Sequence, residues 1–289
     1  MKVCLACQAR FDTESWTCPD CGVAPRSNGH LQFAPELAES GAGFDALSFT
    51  HLESVEAGSF WFRSRNRLIA WALARYFPNA RNLLEIGCGT GYVLSGLRDR
   101  FPALRLTGSE IFVAGLEVAS RRLPKVALYQ MDARRLPFDE EFDVIGAFDV
   151  LEHIDGDEVV LAELRRAVRP GGGVLLTVPQ HPMLWSAVDD FSKHVRRYRR
   201  GELAAKLERA GFVVARQTSF MSFLLAPMAA SRWRHRSDAP TSFDPSTEYR
   251  LSPRVDRAFE LILTMERDLI RAGVSFPAGG SLLVVAKRR

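Results

Sequence analysis

Four cysteines near the N-terminus have the residue types and the spacing of a metal site. They form two Cys-x-x-Cys pairs separated by ten residues: Cys4, Cys7, Cys18 and Cys21. Four thiolates in this arrangement suit a tetrahedral ion, normally zinc, and leave no coordination position open for catalysis. Two disulfides, or an iron ion with the same ligands, are the alternatives. Because about 25 residues are too few to form a core of their own, we expect a structural zinc ion to stabilise this segment.

A second group of chemically active residues follows short apolar segments further along the chain. Residues 83–91 read Leu-Leu-Glu-Ile-Gly-Cys-Gly-Thr-Gly, so three glycines alternate with single residues. Such glycines permit a sharp turn and the close approach of a ligand, and the helix after them offers unpaired N–H groups. Glu110, Asp132 and Asp149 each lie at the end of a later apolar segment. Because open α/β sheets bind ligands at the carboxyl ends of their strands, this pattern predicts a nucleotide-like ligand.

In order, spacing and residue type, these motifs resemble the class I S-adenosylmethionine-dependent methyltransferases, in their type 11/12-like branch. The motifs that carry the resemblance are Glu85-Ile-Gly-Cys-Gly-Thr-Gly91, Glu110, Met131-Asp132-Ala133, Leu136-Pro137-Phe138, Asp149-Val-Leu-Glu-His153 and Arg169-Pro-Gly-Gly-Gly173. The resemblance covers roughly residues 59–289. The Gly-x-Gly-x-Gly turn differs from the Gly-x-Gly-x-x-Gly turn of most nicotinamide enzymes. The resemblance therefore implies S-adenosylmethionine as the cofactor.

The resemblance also implies a role for each residue of the cofactor site. Glu85 and the backbone of the glycine turn would hold the methionine end. Glu110 would bind the two ribose hydroxyls. Asp132, together with the backbone N–H of Ala133, would bind the adenine, and Asp149 would lie beside the transferred methyl group. The glycines of the turn are Gly87, Gly89 and Gly91.

The alternation of apolar strands with helical segments after residue 83 predicts the scaffold. We expect a doubly wound, seven-stranded, Rossmann-like α/β sheet with a small zinc ribbon before it, and the resemblance implies that the last two strands form an antiparallel pair. The expected divisions are a zinc-ribbon-like module at 1–28, a linker with short ordered pieces at 29–58, and the methyltransferase domain at 59–289. Within the domain, 219–253 would be an insertion or lid between the last strands, with 238–253 as an exposed loop.

Residues 59–77 have the pattern of an amphipathic helix that stops at Pro78. In methyltransferases of this type, a helix before the first strand commonly covers the cofactor. Trp61, Phe62 or Arg65 would then face the cofactor. The alternative is that the aromatic side chains belong to the core.

The run Asp149-Val-Leu-Glu-His153 places three polar side chains within five residues. Similar runs occur in ubiquinone-biosynthesis O-methyltransferases and small-RNA 2′-O-methyltransferases, where a later histidine helps to hold a divalent ion beside the acceptor oxygen. The resemblance implies such an ion at Asp149, Glu152, His153 and His194, with His181 as the alternative to His194. Without an ion, His153 or His194 would be the general base. In the structural alternative, Glu152 and His153 cap the next helix or fill the pocket wall.

Residues 193–200 form the densest basic cluster of the chain, Lys-His-Val-Arg-Arg-Tyr-Arg-Arg. Arginine binds phosphate and carboxylate groups through paired hydrogen bonds. We therefore predict that Arg196, Arg197 and Tyr198 bind an anionic group of the substrate. The alternative is a solvated loop that caps the following helix.

Composition limits the cellular setting. The net charge of +4 is too mild to indicate nucleic acid by itself. The sequence has no apolar run long enough to span a bilayer, and its N-terminus carries Cys-x-x-Cys rather than an apolar signal region. We therefore expect a cytoplasmic protein without a transmembrane segment.

These observations together predict an S-adenosylmethionine-dependent methyltransferase. Its acceptor would be a hydroxyl or amine of a small molecule, which could be phosphorylated, a glycan or lipid-linked. One alternative is an RNA methyltransferase whose ribbon binds RNA, which the mild charge and the absence of Asn-Pro-Pro-Tyr disfavour. Another is a non-catalytic partner subunit, which the intact Glu85, Glu110 and Asp132 disfavour. The ribbon could also bind a protein partner.

Overall fold

The computed structural model describes residues 1–38, 46–234 and 251–289, and one large mixed sheet organises them. The strands are β1 Lys2–Val3, β2 Arg10–Phe11, β3 Arg26–Asn28, β4 His30–Gln32, β5 Asn82–Ile86, β6 Arg105–Glu110, β7 Ala127–Gln130, β8 Phe142–Phe148, β9 Val168–Pro179, β10 Phe212–Phe220 and β11 Ser281–Arg288. The helices are α1 Ala46–Glu56, α2 Phe60–Tyr76, α3 Tyr92–Arg100, α4 Val113–Arg122, α5 Asp157–Ala167, α6 Ala187–Phe191, α7 Glu202–Arg209, α8 Leu225–Arg234 and α9 Pro253–Arg271. Short 3-10 helices lie at Pro35–Leu37, Leu151–His153 and Pro182–Leu184.

Seven of these strands form the doubly wound sheet that the sequence predicts. Strands β5 to β9 are parallel where they pair, whereas β11 is antiparallel to both of its neighbours, β9 and β10. Every residue of β5 is buried, as expected for a parallel strand covered by helices on both faces. The predicted Rossmann-like sheet with an antiparallel final pair is thus confirmed.

The N-terminal segment adds two strands that the sequence analysis does not predict. Strand β4 pairs in parallel with β7, and β3 pairs antiparallel with β4, which gives a nine-stranded sheet in the order β10-β11-β9-β8-β5-β6-β7-β4-β3. The side chain of Gln130 holds this edge in place. Its Oε1 accepts from the N–H of Ala34 at 3.1 Å, and its Nε2 donates to the carbonyl of Ala34 at 2.7 Å. The expected boundary between residues 28 and 29 falls within the β3–β4 hairpin. The expected linker carries β4, a 3-10 helix and α1.

Two apolar cores flank the sheet, one beneath each helical layer. One core joins α2, α3, α4 and α9 through side chains that include Ile69, Leu94, Leu116 and Ile270. The other joins α5 and α7 through side chains that include Leu161, Leu164, Leu203 and Leu207. Residues at the carboxyl ends of β5, β6, β7 and β8 line a common cavity.

The region between β10 and β11 contains α8 and α9. Residues 238–250 of the loop predicted at 238–253 lie outside the described residues, and α9 begins at Pro253. Across the described ranges, no helix combines the length and the apolar character needed to cross a membrane.

Candidate active site

A cavity of about 800 Å³ opens at the carboxyl ends of the parallel strands. The predicted cofactor residues that line it are Glu85, Gly87, Gly89, Glu110, Asp132, Ala133 and Asp149. Gly91 lies just behind the cavity, where it caps α3 in a left-handed conformation with a φ of 74°. A Cβ atom there would lie 2.8 Å from Leu123, so Gly91 shapes the turn rather than its surface.

The glycine turn leads from β5 into α3 and contacts the end of β6. Gly87 and Gly89 have φ values of 63° and 50°, which L side chains rarely adopt. A Cβ atom on Gly87 would lie 2.6 Å from Val150, whereas one on Gly89 would make only an ordinary contact with Phe49 at 3.9 Å. The N–H of Gly89 donates to Glu110 at 3.0 Å, so the turn and the acid hold each other in place.

Two buried carboxylates face the cavity beside this turn. Burial raises the pKa of Glu85 well above its usual range, against the opposing charge of Arg65. The Oε2 atom of Glu85 is buried and has no hydrogen-bond partner among the described residues. Burial also raises the pKa of Glu110, although backbone N–H groups, two of them from Ile111 and Phe112, oppose this effect. An unpaired buried acceptor such as Glu85 Oε2 suits a ligand that brings an ammonium group.

Asp132 is held by an arginine that the sequence analysis does not assign. Both oxygens of Asp132 accept hydrogen bonds from the guanidinium of Arg134, at distances between 2.8 and 3.0 Å. The N–H of Arg134 also donates to Asp132 at 2.9 Å. The pair lies on the cavity wall next to the buried Ala133. The carboxylate of Asp132 is therefore already paired where the loop after β7 meets the cavity.

Asp149 pairs with Arg65 of α2. The guanidinium of Arg65 donates to Asp149 and stacks over the ring of Trp61, 4.3 Å from the ring centroid. Arg65 is buried, and both Trp61 and Phe62 line the cavity. Helix α2 is thus tied to the end of β8 across the cavity.

Three of the four residues predicted for the polar cluster lie close together. Ligand atoms of Glu152, His153 and His194 lie within 4.8 Å of one another, and the two imidazole centroids are 4.7 Å apart. Within residues 1–38, 46–234 and 251–289, neither carboxylate oxygen of Glu152 has a hydrogen-bond partner. Burial, followed by the charge of Asp149, raises the pKa of Glu152 well above the usual range. Burial and the charge of His194 lower the pKa of His153 to about 3. Asp149 does not join this cluster, because it pairs with Arg65.

Asp189 is a central residue of this site that the sequence analysis misses. It is fully buried and accepts hydrogen bonds from His194 Nδ1 at 2.8 Å and Arg197 Nε at 2.6 Å. Burial alone would raise the pKa of Asp189, but the hydrogen bond from His194 and the charge of Arg197 lower it to about 2. A sequence signal exists, since Ser186 and Asp189 form the capping box of α6.

Only Arg197 of the three predicted substrate-binding residues reaches the cavity. The hydroxyl of Tyr198 donates to Asp157 at 2.7 Å, and the ring of Tyr198 is fully buried. Arg196 pairs with the same carboxylate at 2.8 Å. Arg196 and Tyr198 thus anchor their segment on α5 and do not contribute to the cavity wall.

The four cysteines of the N-terminal segment come together. The Sγ atoms of Cys4 and Cys21, and those of Cys7 and Cys18, are 3.6 Å apart, and none of the four is in a disulfide. Sulfur atoms at the corners of a tetrahedron with zinc–sulfur bonds of about 2.3 Å are about 3.8 Å apart. The thiol set therefore fits a zinc ion.

Comparison with known proteins gives the following relatives. A family model described as a methyltransferase domain matches residues 57–217. A protein of Mycolicibacterium smegmatis named as a probable S-adenosylmethionine-dependent methyltransferase is 32% identical over 54% of this chain and 60% of its own length. Trans-aconitate 2-methyltransferase of an Azoarcus species is 28% identical over 61% of this chain and 63% of its own length. The chain thus spans less than two thirds of these two relatives.

Solved structures share the fold at low sequence identity. Phosphoethanolamine N-methyltransferase 2 of Haemonchus contortus, in complex with S-adenosylmethionine, aligns with a TM-score of 0.57 and 17% identity over 92% of this chain and 62% of its own. A chain from the complex between the Haloferax volcanii Trm112 methyltransferase activator and a methyltransferase aligns with a TM-score of 0.55 and 18% identity, over 84% and 93% of the two chains. These likenesses show the fold alone.

Proposed function

Because this chain belongs to the class I S-adenosylmethionine-dependent methyltransferases, we propose that it methylates a hydroxyl or amine of a small-molecule acceptor. One observation carries this proposal. The same cavity contains the glycine turn with its carboxylates and, beyond Asp149, the cluster of Glu152, His153 and His194. A cofactor end and an acceptor end are therefore continuous, as transfer between two bound molecules requires.

The residues at the cofactor end would act as holders. The unpaired Oε2 of Glu85 would accept from the ammonium of the methionine moiety, and Glu110 would accept from the ribose hydroxyls. The wall around Asp132 and Ala133 would contact the adenine. When bound, S-adenosylmethionine supplies an electrophilic methyl group on a sulfonium. The chain then needs only to align an acceptor with that group and to take up its proton.

His194 is the proposed general base. Its Nδ1 bonds the buried carboxylate of Asp189, which holds the ring in place and leaves Nε2 to accept a proton from the acceptor. His153 beside it stays neutral, since its pKa is about 3. Asp189 does not face the reacting atoms and is a positioning residue.

The acceptor end also has an apolar wall. Met221, Leu224, Pro227 and Met228 line the same cavity as the polar cluster and Arg197. This combination suits an acceptor with an apolar body and a polar or anionic group, which supports a lipid-linked or phosphorylated molecule over a small hydrophilic one.

A divalent ion held by Glu152, His153 and His194 is the second candidate arrangement. The observation that favours it is the carboxylate of Glu152, which is fully buried and has no hydrogen-bond partner in the part of the chain that the structure describes. Carboxylate and imidazole groups suit such an ion, which would lower the pKa of an acceptor hydroxyl. His194 would then be a ligand rather than the base, and Asp189 would orient it.

Binding and labelling experiments test these proposals. Calorimetry with S-adenosylhomocysteine should show binding, and its absence at millimolar concentration would favour the non-catalytic subunit. Incubation with methyl-labelled S-adenosylmethionine and a cell extract, separated into small molecules, lipids and RNA, should label the small-molecule or lipid fraction. Label found only in RNA would support the RNA methyltransferase instead. Label that survives chelation of divalent ions and the Glu152→Gln substitution would exclude the ion.

A further inference from the structure

The loop after β7 contacts two different parts of the molecule. We define residues 131–139 as the cavity loop and residues 1–25 as the ribbon. Residues 131–134 line the cofactor cavity. Trp16 and Pro25 of the ribbon line a separate, smaller cavity near the cysteines. The remaining part of the cavity loop, 135–139, contacts the ribbon. One short loop thus connects the cysteine cluster with the proposed adenine site.

The backbones of the ribbon and the cavity loop are hydrogen bonded. The N–H of Val3 donates to the carbonyl of Pro137 at 3.0 Å, and the N–H of Asp139 donates to the carbonyl of Met1 at 3.0 Å. Lys2 and Phe138 form an antiparallel bridge between these bonds. The first residues of the chain thereby lie as a short strand against the loop.

One contact starts inside the metal-binding turn itself. The guanidinium of Arg135 donates to the carbonyl of Leu5, which lies between Cys4 and Cys7. The position of the guanidinium of Arg135 therefore depends on the conformation of that turn. Trp16, from the segment between the two cysteine pairs, packs edge-on against Phe138 with ring centroids 5.6 Å apart.

We expect the ribbon to need a bound metal for a fixed shape. Its core consists of Cys4, Phe11 and Cys18, with Ala9 packed against them. So small a core cannot offset the chain entropy of folding, whereas structural zinc binding contributes about 10 kcal/mol or more. Without metal, the cavity loop would keep its contacts to α5, such as the bond from the N–H of Leu136 to Glu163 at 2.7 Å. It would lose those to the ribbon.

We propose that the metal-loaded ribbon holds the cavity loop in the conformation that binds the adenine end of the cofactor, so that metal occupancy and cofactor affinity are coupled. This inference rests on the cofactor site proposed above. Coupling of this kind is reciprocal, since each ligand changes the affinity of the other by the same factor. The four cysteines then serve cofactor binding as well as the stability of the N-terminus.

Metal removal from the full chain is the first test. Zinc content is measured before and after treatment with a chelator, and calorimetry measures the affinity for S-adenosylhomocysteine and for 5′-methylthioadenosine. We expect the metal-free protein to bind both more weakly, by roughly 5- to 150-fold, with recovery after one equivalent of zinc. Saturating S-adenosylhomocysteine should raise the zinc affinity by the same factor. Equal affinities with and without metal would overturn the proposal.

The Arg135→Ala substitution tests the same coupling with the metal in place. It removes the bond to Leu5 but no cysteine, so we expect full zinc content and about fivefold weaker binding of both ligands. Arg216→Ala is the matched control. Arg216 also donates to backbone carbonyls, those of Gly273 and Val274, but it lies in β10 at the opposite edge of the sheet.

The outcomes separate the two proposals. If Arg135→Ala and Arg216→Ala both bind with the affinity of the wild type, the coupling is wrong and the cofactor site stands. If both weaken binding equally, the effect of Arg135 is general and the coupling is again wrong. If the wild-type protein binds neither ligand, the proposed function fails instead.

Discussion

At the scale of single residues, three carboxylates of the candidate site lie in different environments: Glu85 and Glu110 are buried, and Asp149 is partly buried. Glu110 accepts from three backbone N–H groups, of which Gly89 contributes one to Oε2. Asp149 pairs with an arginine, and Glu85 keeps an unpaired oxygen. Burying a charge costs free energy unless the charge has partners. The three acids have different partners, and we therefore propose different roles for them.

The Glu110→Ala substitution tests the ribose-binding role. Removing the carboxylate deletes the acceptor for the ribose hydroxyls, and we expect the affinity for S-adenosylhomocysteine to fall by about 2 kcal/mol, or roughly 30-fold. Calorimetry measures the affinity, and circular dichroism checks that the fold persists. Glu117→Ala, an exposed acid on α4, is the control. An unchanged affinity in Glu110→Ala would show that the acid has no part in cofactor binding.

The Asp189→Asn substitution tests the positioning of His194. Asparagine keeps the shape but not the charge, so His194 and Arg197 lose the carboxylate that orients them. Since general base catalysis contributes roughly 10²- to 10⁴-fold, we expect a drop in kcat within this range and an unchanged affinity for S-adenosylhomocysteine.

A double variant separates positioning from a general structural effect. If Asp189 acts through His194, then His194→Ala combined with Asp189→Asn should be no slower than His194→Ala alone. Multiplicative losses would mean that Asp189 acts independently of the imidazole. The measurement is the rate of methyl transfer to the acceptor fraction that the labelling experiment identifies.

The sequence predicts the acids of the site but not their partners. Glu85, Glu110, Asp132 and Asp149 follow from motif spacing, because each lies at a strand end. Arg65 lies 84 residues before Asp149, and only the packing of α2 brings them together. Asp189 lies in a segment without strong periodicity. The sequence also groups Arg196 and Tyr198 with Arg197, although their side chains turn to Asp157.

At the scale of elements, α2 and α9 are joined by a network of charges beside the acceptor end. Arg63 of α2 pairs with Asp256 at 2.5 Å and with Glu260 at 2.8 Å, and Arg67 also pairs with Glu260. Trp61 of α2 and Phe259 of α9 line the same cavity. The network therefore links two elements that line the cavity.

The pH dependence of stability tests this network. The hydrogen bond from Arg63, followed by that from Arg67, lowers the pKa of Glu260 to about 2 against the effect of burial. A lowered folded-state pKa stabilises the fold above the unfolded pKa of about 4.3, and this contribution is lost as the pH falls towards 2. We expect Glu260→Gln to be about 2 kcal/mol less stable than the wild type at pH 7, with a smaller difference at pH 3.

Urea unfolding at both pH values measures the difference. Glu158→Gln is the control, because Glu158 pairs with Arg209 at an exposed site where an ion pair contributes little. A difference between Glu260→Gln and the wild type that is the same at both pH values would mean that the charge of Glu260 is not what stabilises the helix pair.

Among elements, sequence periodicity predicts the long ones and misses the short ones. Helix α2 begins and ends within one residue of the expected 59–77, and the seven main strands, which also have clear apolar patterns, appear in the expected number. Strands β3 and β4 have three residues each, too few for a pattern. They form because the edge of β7 offers unpaired N–H and carbonyl groups, and the sequence of β4 alone does not reveal that edge.

At the scale of the whole molecule, strands β3 and β4 of the N-terminal segment belong to the same sheet as the methyltransferase domain, whereas β1 and β2 form a separate two-stranded sheet. The terminal ammonium of Met1 bonds Glu141 at 2.5 Å, and the N–H of Phe33 donates to Gln130 at 2.8 Å. Contacts at both ends of this segment predict that ribbon and domain unfold together. In the metal-loaded wild type, zinc release and loss of helical signal should share one midpoint in urea.

The Trp16→Ala substitution should uncouple these two events. The Trp16 ring lies between the ribbon and the sheet, with ring centroids 4.7 Å from Phe33 and 5.7 Å from Tyr129. Truncating a partly buried tryptophan costs about 2–3 kcal/mol, and the cost falls on the interface rather than on the main core. We therefore expect zinc release to move to lower urea than the loss of helical signal. Trp233→Ala, where the ring is 78% exposed, should leave both midpoints unchanged. Coincident midpoints in Trp16→Ala at the wild-type position would show that other contacts hold the ribbon in place.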